Sequence, residues 1–154
     1  MKLTKFRIAC ILGILIIPLI AFIDIQGFNL LGEDYTNGLF PSNVWTHHLI
    51  TSIILMLIPA LAYFYLYRKD KSEALAVFSI PFIMFWFGAC DVFYFWIQGK
   101  SIPLVLSHLN NHFIIGNISK YLGYSGGTNI SLLVSVLIGI IFADIVVWIL
   151  KEKF

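Results

Sequence analysis

The chain has 154 residues, of which 60% are hydrophobic and only 12% charged, and its mean hydropathy is +0.92. That is too much apolar surface for a single water-soluble core, so the expected class is an all-α integral membrane protein with the lipid bilayer as solvent. The net charge of +2 gives no reason to invoke nucleic acid.

Four apolar stretches approach the ~20 helical residues that a bilayer requires. They predict four transmembrane helices, at about 6–28, 44–67, 73–97 and 129–150, within a single domain covering 1–154. Helices are expected because lipid offers no partner to free backbone groups, and the runs are continuous where barrel strands would alternate. Lys2, Lys5 and Arg7 precede the first run as they would in a signal peptide, but no small-x-small cleavage site follows. A retained first helix is therefore expected, ending near Asp24.

The first long loop, about 27–43, carries Glu33, Asp34 and Tyr35 and reads as solvated. His47 and His48 then open the second helix. Adjacent helical residues point about 100° apart, so only one of the two should face a common centre. The short charged turn from Arg68 to Glu73 makes the second and third helices antiparallel neighbours. Pro18, Pro59 and Pro81 fall inside the first three helices, where each removes a backbone hydrogen bond and tends to kink its helix.

Asp91 lies in the far part of the third helix, and the apolar run from Val92 to Ile97 that follows places it at membrane depth. Beyond it, Ser101-Ile102-Pro103 reads as a helix start with serine as cap and proline in the first turn. Leu104, Leu109 and Phe113 would form one face, and Ser107, His108, Asn111 and His112 the other. This predicts an additional interfacial helix over about 102–116 in the second extracytoplasmic loop. Gly116, Gly123, Gly126 and Gly127 mark an irregular return to the last helix. There Asp144 stands alone, expected to cap or to pair with Lys151 or Arg68. Cys10 and Cys90 belong near opposite ends of their helices, too far apart to bridge.

Lys2, Lys5, Arg7, Arg68, Lys69, Lys71, Lys151 and Lys153 fall on one side of this arrangement, against Lys100 and Lys120 on the other. Basic residues are retained in the cytoplasm, so both termini are expected there. The topology then gathers Asp24, His47, His48, Asp91, His108 and His112, including every histidine of the chain, on the extracytoplasmic side.

An ionisable group at membrane depth costs roughly 3 kcal/mol on insertion scales, so Asp91 should face inward and have a partner. Histidine with aspartate is a ligand set suited to zinc, iron or copper, and His108 and His112 at i, i+4 would share a helix face. The same residues would equally make a structural hydrogen-bonded network or a polar interfacial face. There is no glycine-rich phosphate loop, no Gly-x-Ser-x-Gly and no His-Glu-x-x-His.

Asp91, Phe95 and His108 have the spacing Asp-x3-Phe-x12-His, and Glu33-Asp34-Tyr35-Thr36 is followed by Phe40-Pro41-Ser42. Over about residues 24–112 these features resemble the C subunit of copper-containing membrane monooxygenases, whose metal motif is Asp-x3-His-x12-His. Phenylalanine stands at the middle position here, and Phe28 follows Asp24 where that family has histidine. The resemblance implies a metal-related history for the outer side.

The leading expectation is an extracytoplasmic-side pocket of Asp24, His47 or His48, Asp91, His108 and His112 that binds a divalent transition metal or a small polar ligand, with enzymatic use of the histidines as ligands or acid–base groups. The alternative is an accessory or assembly subunit that packs against a membrane-protein partner. A homo-oligomeric transporter ranks third, because the helix centres are nearly bare of polar residues.

Overall fold

The structure is a computed structural model that describes residues 5–31, 42–67 and 71–153, without the side chains of 28–31, 42–47 and 153. It is helical: α1 (Lys5–Leu31), α2 (Ser42–Leu66), α3 (Lys71–Trp86), α4 (Ala89–Ile97), a 3-10 turn (Ser107–Leu109), α5 (Phe113–Tyr121) and α6 (Asn129–Lys153). Three helices are long and apolar enough to cross a membrane, and a fourth crossing is present if α3 and α4 count as one bent span. Outward-facing side chains such as Ile14, Ile58 and Ile141, each more than half exposed, are compatible with a lipid solvent.

α3 is the central element, packed against α1, α2 and α6. Small residues permit the close approach. Ser131, Ser135, Gly139 and Ala143 recur every fourth position of α6 and are all buried, which puts one narrow stripe against the bundle. At Gly139 a Cβ would lie 2.6 Å from the Cβ of Phe87, so only glycine lets the two backbones meet. Where α1 begins and α2 ends, the buried Tyr63 hydroxyl lies 2.9 Å from the Lys5 carbonyl oxygen and 3.0 Å from Glu73 Oε2. That contact ties together the α1, α2 and α3 ends nearest the chain termini. The opposite end of the bundle, the pocket end, holds Asp24, His48 and Asp91.

Two elements differ from the sequence expectations. The predicted third helix, 73–97, is two helices bent by 80°, and the break lies at Gly88, not at Pro81, which α3 accommodates. Pro18 and Pro59 are likewise inside continuous helices. Gly88 has φ +83°, a left-handed conformation that residues with a Cβ adopt only at a cost of about 1–2 kcal/mol.

The interfacial helix predicted over 102–116 is also not formed. Residues 101–106 are irregular instead, because their backbone groups are used by the returning chain: Leu106 N–H donates to the Gly127 carbonyl at 2.8 Å, Asn129 N–H to the Leu104 carbonyl at 3.3 Å, and Val105 bridges antiparallel to Thr128. Asn110 completes the clamp, its Oδ1 accepting from Gly127 N–H at 2.7 Å.

A Cβ at Gly88 would meet the terminal methyls of Leu132 at 2.5 Å and Ile115 at 2.8 Å, both residues fully buried. Gly88→Ala should therefore lower stability by about 1–3 kcal/mol, from the backbone term plus crowding. Unfolding in detergent measures it, and wild-type stability would mean that the bend is set elsewhere.

Candidate functional site

Asp24 reaches the pocket from the last turns of α1, and His48 from the first turns of α2. Between them the His48 Nδ1 to Asp24 Oδ1 distance is 2.7 Å, with both side chains largely shielded from solvent. An ionised carboxylate only accepts, so Nδ1 of His48 donates and Nε2 is the acceptor of the neutral ring. The His48 ring also packs on Phe85 at the end of α3, with centroids 5.2 Å apart.

The second pair depends on the bend. Because α4 leaves α3 at 80°, Asp91 in its first turn is carried across the bundle end and is 9% exposed. There its Oδ1 lies 3.2 Å from His108 Nε2, and the His108 side chain is 2% exposed. Asp24, Cys90 and Asp91 fall within electrostatic range of one another.

His108 and His112 do not share a helix face. His108 lies in the 3-10 turn, whereas His112 is the N-cap of α5, its Nδ1 accepting the Ile115 N–H at 3.4 Å. In a neutral ring this cap bond leaves the proton on Nε2. Burial pushes the His112 pKa below its ordinary 6.5, the charge of Asp91 opposes that shift, and His108 adds to it. The ring is therefore held neutral near pH 7, with one N–H to offer.

His48, Cys90, Asp91 and His112 line a small, partly open cavity of about 90 Å³ together with Leu49, Phe85 and Trp86. Thus four elements, α2, α3, α4 and the α5 cap, converge on one small polar space. Of the sequence candidates, His48, Asp91 and His112 line it directly, while Asp24 and His108 stand behind His48 and Asp91. The side chain of His47 lies outside the described residues, as do Glu33 and Asp34. Among the described residues no group of three or more His, Cys, Asp or Glu side chains is arranged to hold a metal ion.

Sequence reasoning does not single out Cys90, Phe85 or Trp86 as site residues. The two aromatics read as ordinary lipid-facing residues, and the only available signal for Cys90 is its position next to Asp91. Both cysteines are free thiols. Asp144 does not pair with Lys151, and Arg68 lies outside the described residues. No protein-family model, curated protein or solved structure matches this chain.

The lowered His112 pKa has a defined thermodynamic sign. The unfolded chain takes up a proton near pH 6.5 that the folded chain accepts only at lower pH, so stability is full above 6.5 and falls as pH drops below it. His112→Asn keeps a capping acceptor without the titration. Wild type should thus lose stability relative to His112→Asn between about pH 6.5 and pH 5. A pH-independent difference between the two in detergent melts would refute the burial account.

Proposed function

We propose that this chain is a small integral membrane protein whose working site is the pocket-end cavity, and that the site takes a metal ion or a comparably small polar ligand. The observation that carries the reading is the convergence of His48, Asp91 and His112 on one cavity, with His48 and Asp91 each oriented by a His–Asp contact.

Size limits the ligand. Liquid water occupies ~30 Å³ per molecule, so a cavity of about 90 Å³ holds an ion with one or two waters, or a molecule of a few atoms. A haem is several times too large for it. The lining is chemically mixed: two imidazoles, His48 and His112, a carboxylate, Asp91, and a thiol, Cys90.

For an ion, His48 and Asp91 would be the ligands, with Asp24 behind His48 in the carboxylate–histidine arrangement that fixes ring orientation at metal centres. Two such ligands make an open site whose remaining positions belong to water or substrate, unlike a closed four-ligand structural site. The ion would supply Lewis-acid chemistry there. The accessory-subunit reading draws on a different observation, Asp144 exposed on α6 at the edge of an apolar groove between α1 and α6, and is decided by what occupies that groove.

The test is elemental analysis of detergent-purified protein after equilibration with zinc, iron(II) or copper, beside His48→Gln and Asp91→Asn. Stoichiometric metal that both substitutions remove is the expected result. A folded wild type that retains no metal, and whose histidine ring NMR signals stay fixed as each ion is added, would exclude the ion and leave the two pairs as latches between helix ends.

A further inference from the structure

Asp144 has the opposite circumstances to Asp24 and Asp91. It stands nine residues before Lys153 on α6, about 13 Å from that helix end at 1.5 Å per residue. It is exposed, among the outward-facing Ile140, Ile141, Ile145 and Trp148. It has no hydrogen bond or ion pair among the described residues. If the helices cross a bilayer, a carboxylate at this depth costs roughly 3 kcal/mol unless something answers it.

It also edges an open apolar groove of about 380 Å³ between α1 and α6, walled by Cys10, Ile14 and Ile17 on one side and Ile140 and Val147 on the other. Asp144 is the one charged residue of the lining. The occupant must therefore bring apolar surface along the groove and a cation whose charged end reaches the depth of Asp144.

The chain carries such a cation. Arg7 is exposed on α1 and continues the stripe of Cys10, Ile14 and Ile17, all within about 80° of arc at 100° per residue. It lies three residues, about 4.5 Å, from the level of Cys10, which shares the groove with Asp144. In a two-fold pair whose axis follows the bilayer normal, every residue meets partner residues at its own depth, and each contact occurs twice.

We propose that a second copy of this chain seats on this groove as a parallel two-fold dimer, α1 of each copy against α6 of the other, with Arg7 of one copy paired to Asp144 of the other. The proposal rests on the membrane reading but not on the pocket, so either can fail alone.

The test is fluorescence energy transfer between labelled chains in phosphatidylcholine vesicles, titrated over protein-to-lipid ratio. Wild type should dimerise, and Arg7→Asp and Asp144→Arg should each weaken dimerisation about tenfold or more. Mixing the two variants is decisive. In the mixed dimer the aspartate introduced at position 7 of one chain faces the arginine introduced at position 144 of the other, while the unaltered Arg7 and Asp144 face each other. Both opposite-charge pairs thus return, and energy transfer should recover between unlike chains only. That recovery also establishes that both variants fold.

A wild type that stays monomeric, or a mixture no better than either variant, would overturn the proposal. So would recovery confined to the double variant Arg7→Asp/Asp144→Arg, which would place the pair within one chain. Sensitivity to Asp144→Arg without sensitivity to Arg7→Asp would give the groove to a different cationic partner.

Discussion

The site depends on one backbone conformation, the left-handed turn at Gly88. A continuous third helix would carry Asp91 onward along the axis of α3, with the aromatic run behind it. The 80° bend lays α4 across the bundle end instead, and this sets Asp91 against His108 and on the same cavity as His48. The bend is held from outside by Ile115 of α5 and Leu132 of α6, whose methyls occupy the space a Cβ would need. Thus the loop after α4, the short α5 and the start of α6 form the support that keeps an aspartate in place.

The helices were legible from the sequence because their signal is long: uninterrupted apolar runs leave little doubt about where backbone must be self-satisfied. The break was not. Three prolines are stronger punctuation than one glycine, yet Pro18, Pro59 and Pro81 all sit within unbroken helices. Gly88, flanked by Phe87 and Ala89, has nothing in its immediate neighbours to distinguish a left-handed residue from a tolerated helical one. What decides it is packing by Ile115 and Leu132, both distant along the chain.

Ser107 to His112 shows the same limit at smaller scale. Two histidines four apart suggest one helical face, but the spacing assumes that the backbone is helical. Here Asn110 clamps the Gly127 backbone and His112 is the N-cap of α5, so the polar residues that suggest a ligand face instead lie ahead of a helix that begins only at Phe113. The grouping of Asp24, His48, Asp91, His108 and His112 at one end was nevertheless readable, because it follows from helix order alone. Which atoms point into the cavity was not, since that depends on the capping bond of His112 and the packing of His48 on Phe85.

The three aspartates of the helices also separate site from surface by physical circumstance. A carboxylate removed from water is tolerable when a donor replaces the lost hydration, and Asp24 and Asp91 each have a histidine from another element at hydrogen-bond distance. Those contacts fix ring orientation and tautomer, which is what a small, directional site requires. Asp144 has the opposite balance: an exposed charge on an apolar face, with the groove beside it open. Within the chain nothing described offsets its desolvation in lipid, so a compensating charge has to come from outside α6. The same electrostatic rule therefore accounts for an internally satisfied site at one end of the bundle and an unsatisfied surface near the other. It also explains why the pocket and the groove can be tested independently.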